Sequence, residues 1–201
     1  AQTEAMRALA YVVAAAMDIA HRDPDAALRA KHQAFADMMI PVVKGWSTET
    51  CIELASTGIQ VHGGMGYVEE TGAAQHLRDA RITTIYEGTT AIQSNDLVGR
   101  KIAREGGATA KEVIKAMHAV EGELAQAPGE DMAAIRAGLA AGIRAVEDCV
   151  AWIVATYAAD IKAVHAGSVP FLRLMGIVCG GWQMARAALV AQNRLAAKGG
   201  D

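Results

Sequence analysis

Residues Ile82 to Arg100 read ITTIYEGTTAIQSNDLVGR, and the fold is decided there. An apolar, β-branched run, Ile82-Thr83-Thr84-Ile85-Tyr86, delivers the chain to a single carboxylate, Glu87. Gly88 and two threonines follow. Beyond them the pattern turns helical, with Ile92 and Leu97 or Val98 on one face and Gln93, Asn95, Arg100 and Lys101 on the other. Glu87 is thus predicted on a short turn at the mouth of a helix. Thr89 or Thr90 can cap that helix by accepting a backbone N–H. Gly88 lets the backbone bend and lets a bound molecule approach closely. On spacing alone two roles stay open for Glu87: complementing the positive end of the helix dipole, or acting on a bound molecule.

Outward from this stretch, composition bounds the class. The chain has 201 residues, of which 52% are hydrophobic and only 4% aromatic, and alanine dominates the apolar content. Alanine is the best helix former, and with 4 prolines an all-α protein is predicted. Two units are expected, 1–104 and 105–201, divided at the linker candidate Glu105-Gly106-Gly107-Ala108-Thr109. The net charge of −3 leaves no electrostatic footprint for nucleic acid or for a membrane surface. Past position 104 there are nine basic and ten acidic residues, so the second half lacks the basic excess of a DNA-binding extension. The three cysteines, Cys51, Cys149 and Cys179, are far apart, form no CxxC pair and give no metal site; buried free thiols in a reducing cytoplasm are predicted. No signal peptide and no apolar run long enough to span a bilayer is evident. The chain opens on Ala1, already in a helical pattern, so a fragment or a processed product is expected.

Upstream, a first helix over about 1–20 carries Met6, Leu9, Val13 and Met17 near an i, i+4 stripe. Asp23-Pro24-Asp25 breaks it, with Asp23 as cap and Pro24 as first residue of a second helix running to about Met39. Pro41 starts or kinks a third, which carries Val42, Trp46, Cys51, Leu54 and Ile59. Gln60 to Gly72 then holds four glycines, backbone able to lie against a flat ring or phosphate, or simply to turn. It lacks a preceding strand and so is no dinucleotide fingerprint. Arg78, Asp79 and Arg81 read as a salt-bridged helix face. Downstream, helices are predicted to about Leu124, from about Met132 to Thr156, and from about Asp160 to Ala197 with an interruption at Gly167 to Pro170. Gly180-Gly181-Trp182 suggests close helix packing, with Trp182 as anchor. Met117, Met132, Met175 and Met184 read as core, and His165 has no evident partner.

YEGT followed by x-x-I-Q, at Tyr86 to Gln93, resembles the catalytic loop of the acyl-CoA dehydrogenase family. Gln60 to Tyr67, QVHGGMGY, resembles its flavin-contacting glycine loop, and Leu77 to Arg81, LRDAR, its connecting helix. With DLVGRK at Asp96 to Lys101 and Gly180-Gly181-Trp182, the chain is similar to the long-form bacterial members that carry an extra helical domain, among them the 3-methylmercaptopropionyl-CoA dehydrogenases. The resemblance implies the family's C-terminal helical bundle followed by a helical extension. It implies FAD as cofactor, an acyl-CoA substrate, electron-transfer flavoprotein as acceptor and a homo-oligomer. Glu87 matches the catalytic base and Gly88 a position beside the acyl-CoA. Gln60, Gly63, Gly64 and Thr89 match flavin-contacting positions, the first three commonly serving a neighbouring subunit. Thr90 and Ala91 depart from the commoner polar pair, and Ala91 has no side-chain group to bond a flavin. No strand-rich segment matches the family's β domain, so the chain by itself is expected to lack a complete flavin site and to be inactive alone.

Overall fold

In the computed structural model, which describes residues 1–197 and Gly199, the described residues contain helices and turns and no strand. The all-α expectation holds. The helices are α1 (Gln2–Arg22), α2 (Ala26–His62), α3 (Gly64–Tyr67), α4 (Ala73–Thr83), α5 (Thr90–Asn95), α6 (Ala108–Gln126), α7 (Glu130–Thr156), α8 (Ile161–Ala166) and α9 (Ser168–Ala197). A 3₁₀ turn, Glu69–Thr71, joins α3 to α4, and a π-helical segment, Asp96–Ala103, continues α5. One continuous core takes Leu9 from α1, Met39, Val42 and Trp46 from α2, Leu97, Val98 and Ile102 from the π segment, and Met117, Ile143 and Met175 from α6, α7 and α9. It therefore runs through both halves of the chain.

Helix α2 differs from expectation. It runs unbroken for 37 residues with Pro41 inside it. An interior proline costs about 3 kcal/mol. Met38, Met39, Val42 and Trp46 are buried on either side of it, and burying each large apolar side chain contributes about 1.5–3 kcal/mol. Packing outweighs the break. The cap also shifts: Asp25 accepts from the Ala27 N–H at 2.8 Å, while Asp23 accepts from the Asp25 N–H and Pro24 lies before the helix. In α1 the buried stripe is Ala5, Leu9, Val13, Ala16 and Ala20, and Met17 is exposed.

Ile92 does not share a face with Leu97 and Val98; it is 59% exposed while they are buried. Spacing is the reason: at about 3.6 residues per turn, positions five and six apart point about 140° and 120° apart. Further on the helix widens, with Arg104 N–H donating to Gly99 O and Gly107 N–H to Ile102 O, five residues back. The cysteines also diverge: Cys51 is exposed and Cys149 half-buried. Only Cys179 is buried, and burial pushes its thiol up to about 12.

In the second half, Leu139, Ile143, Val146, Val150 and Ile153 face the core along α7, and Met117 and Met175 lie in it as expected, with Met132 and Met184 packed at its margin. The interruption expected at Gly167 to Pro170 narrows to Gly167, and Pro170 sits in the first turn of α9. By length and composition alone α9 is apolar enough to cross a membrane, contrary to the sequence reading. Here its apolar side, Phe171, Leu172, Met175 and Cys179, lies in the core.

The glycines of α9 serve Trp46 of α2. A Cβ on Gly176 would lie 2.1 Å from Trp46 Cγ, and one on Gly180 2.6 Å from its Cη2, whereas Gly181 faces open space. Trp182 is buried, but the anchor in the glycine face is Trp46. Gly176→Ala is expected to lower the unfolding free energy by about 2–3 kcal/mol through overpacking. Gly181→Ala should leave it unchanged or raise it by up to about 1 kcal/mol through helix propensity. Urea unfolding of the two variants checks the contrast.

A second expected outcome concerns the crossing of α6 and α7. The His118 ring touches Glu147 at 3.0 Å and Glu121 at 2.9 Å. These bonds raise its pKa, Glu147 first. Arg136 lies 4.0 Å from Glu121. A histidine elevated in the native state stabilises fully below its unfolded value of about 6.5, and that contribution fades as pH rises through the native value. Stability should therefore fall on raising the pH from about 6 to about 8, and Glu147→Gln should flatten the slope in unfolding midpoints measured across that range.

Candidate functional site

The turn between α4 and α5 is built as its residues require. After α4, Ile85 and Tyr86 N–H both return to Ile82 O at 3.0 and 3.2 Å. Glu87 then takes φ 53°, the one positive φ at a non-glycine among the described residues. Gly88 follows at φ 89°. A left-handed non-glycine costs about 1–2 kcal/mol, so the surroundings must hold it there.

Two side chains do. Lys44, from the middle of α2, donates through Nζ to Gly88 O at 2.6 Å and to Thr83 O at 2.9 Å. Gln93, in α5, donates through Nε2 to Glu87 O at 3.2 Å. A Cβ at position 88 would meet that Gln93 amide at 2.9 Å, so the site needs glycine for space as well as for φ. With both carbonyls tied back, the N–H groups of Glu87 and Gly88 make no hydrogen bond among the described residues. Thr89 is the cap: its Oγ1 accepts from Ile92 N–H at 3.4 Å. Thr90 instead donates to Glu49 of α2 at 2.5 Å. The Glu87 carboxylate is exposed, as are Ile82, Ile85, Tyr86 and Ile92 around it.

The glycine loop closes the far end of α2. Gly63 has φ 62° and its N–H returns to Gln60 O at 3.1 Å. A Cβ on Gly66 would lie 2.3 Å from Ile59 O, so that glycine is required by close packing. Gly64 has neither restraint and faces open space, with Gln60 and Gly63 also exposed. The glycine conformation therefore belongs to Gly63, not to Gly64. Thr71 Oγ1 donates to Met65 O at 2.6 Å and stiffens the loop. Beyond it, the expected salt-bridged face is sparser: Arg78 pairs with Glu69 at 3.5 Å and Arg81 donates to Thr84 at 2.7 Å, while Asp79 accepts from Gln75.

The structure gathers Glu87, Gly88 and Thr89 in one turn and sets Gln60, Gly63 and Gly64 in another. Lys44 and Gln60 are sixteen residues apart on one helix, roughly 24 Å at about 1.5 Å of rise per residue. The two groups therefore do not line one pocket. Lys44 escaped the sequence reading, and Gln93 was read only as part of the motif and of a polar face, without its bond to Glu87 O. The available signal for Lys44 was a lone charge in the apolar run MMIPVVKGW.

Residues 1–102 match the family model described as acyl-CoA dehydrogenase, C-terminal domain. The chain belongs to the acyl-CoA dehydrogenase family. Residues 108–201 match a second model, described as acetyl-CoA dehydrogenase C-terminal like. The chain is 48% identical, over all of its length, to 34% of the 3-methylmercaptopropionyl-CoA dehydrogenase of Ruegeria pomeroyi. Over 95% of its length it is 32% identical to the broad-specificity linear acyl-CoA dehydrogenase FadE5 of Mycobacterium tuberculosis, covering 32% of that protein. It thus spans about a third of the length of these curated acyl-CoA dehydrogenases. The solved structure titled Bd2924 apo-form shares the fold, with a TM-score of 0.65 at 19% identity over 96% of this chain and 31% of that one.

Within this acyl-CoA dehydrogenase domain, Lys44→Met removes the cation from two carbonyls at once. A lost hydrogen bond to a charged group costs about 1.5–3 kcal/mol. The expected outcome is a stability loss at the low end of that range, because the site is only part-buried, together with faster amide exchange over residues 84–90. Urea unfolding and hydrogen-exchange mass spectrometry check both.

Proposed function

We propose that this chain is the base-bearing helical part of an FAD-dependent acyl-CoA dehydrogenase, which introduces a double bond between the α and β carbons of an acyl-CoA thioester. The observation that carries the reading is the held turn. Glu87 sits at positive φ, its carbonyl and that of Gly88 are tied back, and their N–H groups are left free to meet a ligand.

That arrangement suits α-proton removal. The α C–H is weakly acidic until its thioester oxygen is polarised, and a backbone N–H aimed at that oxygen stabilises the charge that develops there. The Glu87 N–H is such a donor, and the Glu87 carboxylate, one flexible side chain away, takes the α-proton. Gly88 lies beside the acyl group. A bound flavin would supply the acceptor for the β-hydrogen and its electron pair. Gln60, Gly63, Gly64 and Thr89 are the residues that would touch it. The loop fits a flat group, because Gly63 and Gly64 present open backbone. Thr89 Oγ1 spends its acceptor side on the cap and keeps its proton to donate.

The exposed carboxylate is not desolvated by this chain's own residues. Burial must come from substrate and from the rest of the protein, so the chain alone is expected not to turn over. The separation of the glycine loop from Glu87 supports a homo-oligomer in which that loop serves a neighbouring subunit's flavin. Electron-transfer flavoprotein as acceptor, a cytoplasmic location and a place in fatty acid metabolism complete the reading. A second reading, that the chain is a helical scaffold without chemistry, is favoured by the exposure of Glu87 on an open turn.

Glu87→Gln in the full-length, flavin-loaded protein decides between them. The amide keeps the shape and cannot take the proton. Flavin content should stay at wild type, and bleaching of the visible flavin band by an acyl-CoA should be lost. A variant that bleaches at the wild-type rate removes Glu87 from the role of base.

A further inference from the structure

The base turn is followed at once by α5, and α5 is bonded to the extension. Ser94 is fully buried, and its Oγ lies 3.0 Å from Ser168 Oγ at the start of α9. Ser168, also buried, donates to Asn95 Oδ1 at 3.0 Å. His165 of α8 meets the same Oδ1 through Nδ1 at 2.9 Å. An amide oxygen has no proton to give, so His165 carries its hydrogen on Nδ1 and both extension side chains donate into Asn95. The pairing was invisible in the chain order, since the partners are 70 and 73 residues apart.

A second contact lies one turn on. A Cβ on Gly99 would be 2.9 Å from Tyr157 Oη and 3.7 Å from His165 Cε1, and the Tyr157 and His165 rings are tilted together at 5.8 Å. The end of α7, α8 and the start of α9 thus grip the helix that begins at the base turn, over Ser94 to Gly99. Gln93, adjacent to Ser94, is the residue whose amide holds Glu87 O. Thr89, its cap, lies two residues after Glu87. Movement or rotation of α5 must therefore shift Glu87.

We propose that Ser94, Asn95, His165 and Ser168 are positioning residues through which the C-terminal extension sets the placement of Glu87. This rests on the reading of Glu87 as the base, and it gives the extension a part in the reaction beyond covering apolar surface. Buried polar networks lock a helix in rotation more narrowly than apolar contacts do, because each bond is directional. Displacing a reacting group by about 1 Å can cost up to about a hundredfold in rate.

The test uses the full-length, flavin-loaded protein carrying Asn95→Leu, Asn95→Asp or Ser168→Ala, with Glu87→Gln in parallel. Asn95→Leu removes the shared acceptor, and Asn95→Asp keeps it. Single-turnover flavin reduction by an acyl-CoA should slow about tenfold in Asn95→Leu. Thioester affinity should fall less than the rate, because the Glu87-Gly88 turn supplies only part of the acyl-CoA contacts. Asn95→Asp should restore most of the rate, which a merely structural loss at this position would not allow. Amide exchange over residues 84–93 should quicken in Asn95→Leu and, less, in Ser168→Ala. Ser168→Ala removes only a hydroxyl and decides the question if Asn95→Leu does not fold. Wild-type reduction rates and wild-type exchange over that loop in the folded variants overturn the proposal. If Glu87→Gln keeps its rate, the reading of the base fails while the exchange data still decide whether the network positions the turn.

Discussion

Trp46 seated in the glycine face of α9 is the contact on which the rest depends. The indole lies where side chains at 176 and 180 would be, so α2 and α9 approach closely and at one rotation. Gly45 adds to this, with a Cβ there only 2.8 Å from Leu172 of α9. Residues two apart on a helix point about 200° apart. With Trp46 directed into α9, Lys44 is turned toward the other side, where it meets the carbonyls of Thr83 and Gly88. An apolar fit between distant helices thus aims the cation that holds the base turn.

The turn illustrates how a strained residue is maintained. Glu87 occupies a left-handed conformation that its own Cβ disfavours. Lys44 and Gln93 enforce it by fixing successive carbonyls, one from α2 and one from α5. Pulling carbonyls inward leaves amide N–H groups outward, the arrangement needed wherever negative charge develops on a bound oxygen. Strain, clamp and donor geometry are one feature seen from three sides.

Around both turns the chain leaves large apolar side chains uncovered: Val61, Met65 and Tyr67 at the glycine loop, and Ile82, Ile85, Tyr86 and Ile92 at the base turn. Exposed apolar clusters of this kind mark surfaces that meet other protein or ligand. They coincide with the segments to which the family resemblance assigns cofactor and substrate. The two halves of the chain pack directly on one another, α9 against α1 and α2 as well as α7, with a groove lined by α1, α2, α6 and α9 left open between them.

The sequence alone determined what depends on near neighbours. Helix content followed from alanine and the scarcity of proline. The turn at Glu87-Gly88, a threonine cap at Thr89 or Thr90 and a glycine loop over Gln60 to Gly72 followed from residue types whose backbone preferences act within a few positions. The motif spacing carried the family. The tertiary structure decided everything that rests on a partner far along the chain. Pro41 lies within a continuous helix because burial on both sides outweighs a local break. Ile92 is off the core face because the fold buries the side of the helix that carries Leu97 and Val98, five and six residues on and about 140° and 120° round from it. Lys44, 44 residues before the carbonyl it holds, shows locally only as a lone charge in an apolar run, and neither it nor His165, 70 residues after its acceptor, has its partner named by the residues beside it. A hydrogen bond between distant segments is specified by how helices pack, and packing belongs to the whole chain at once.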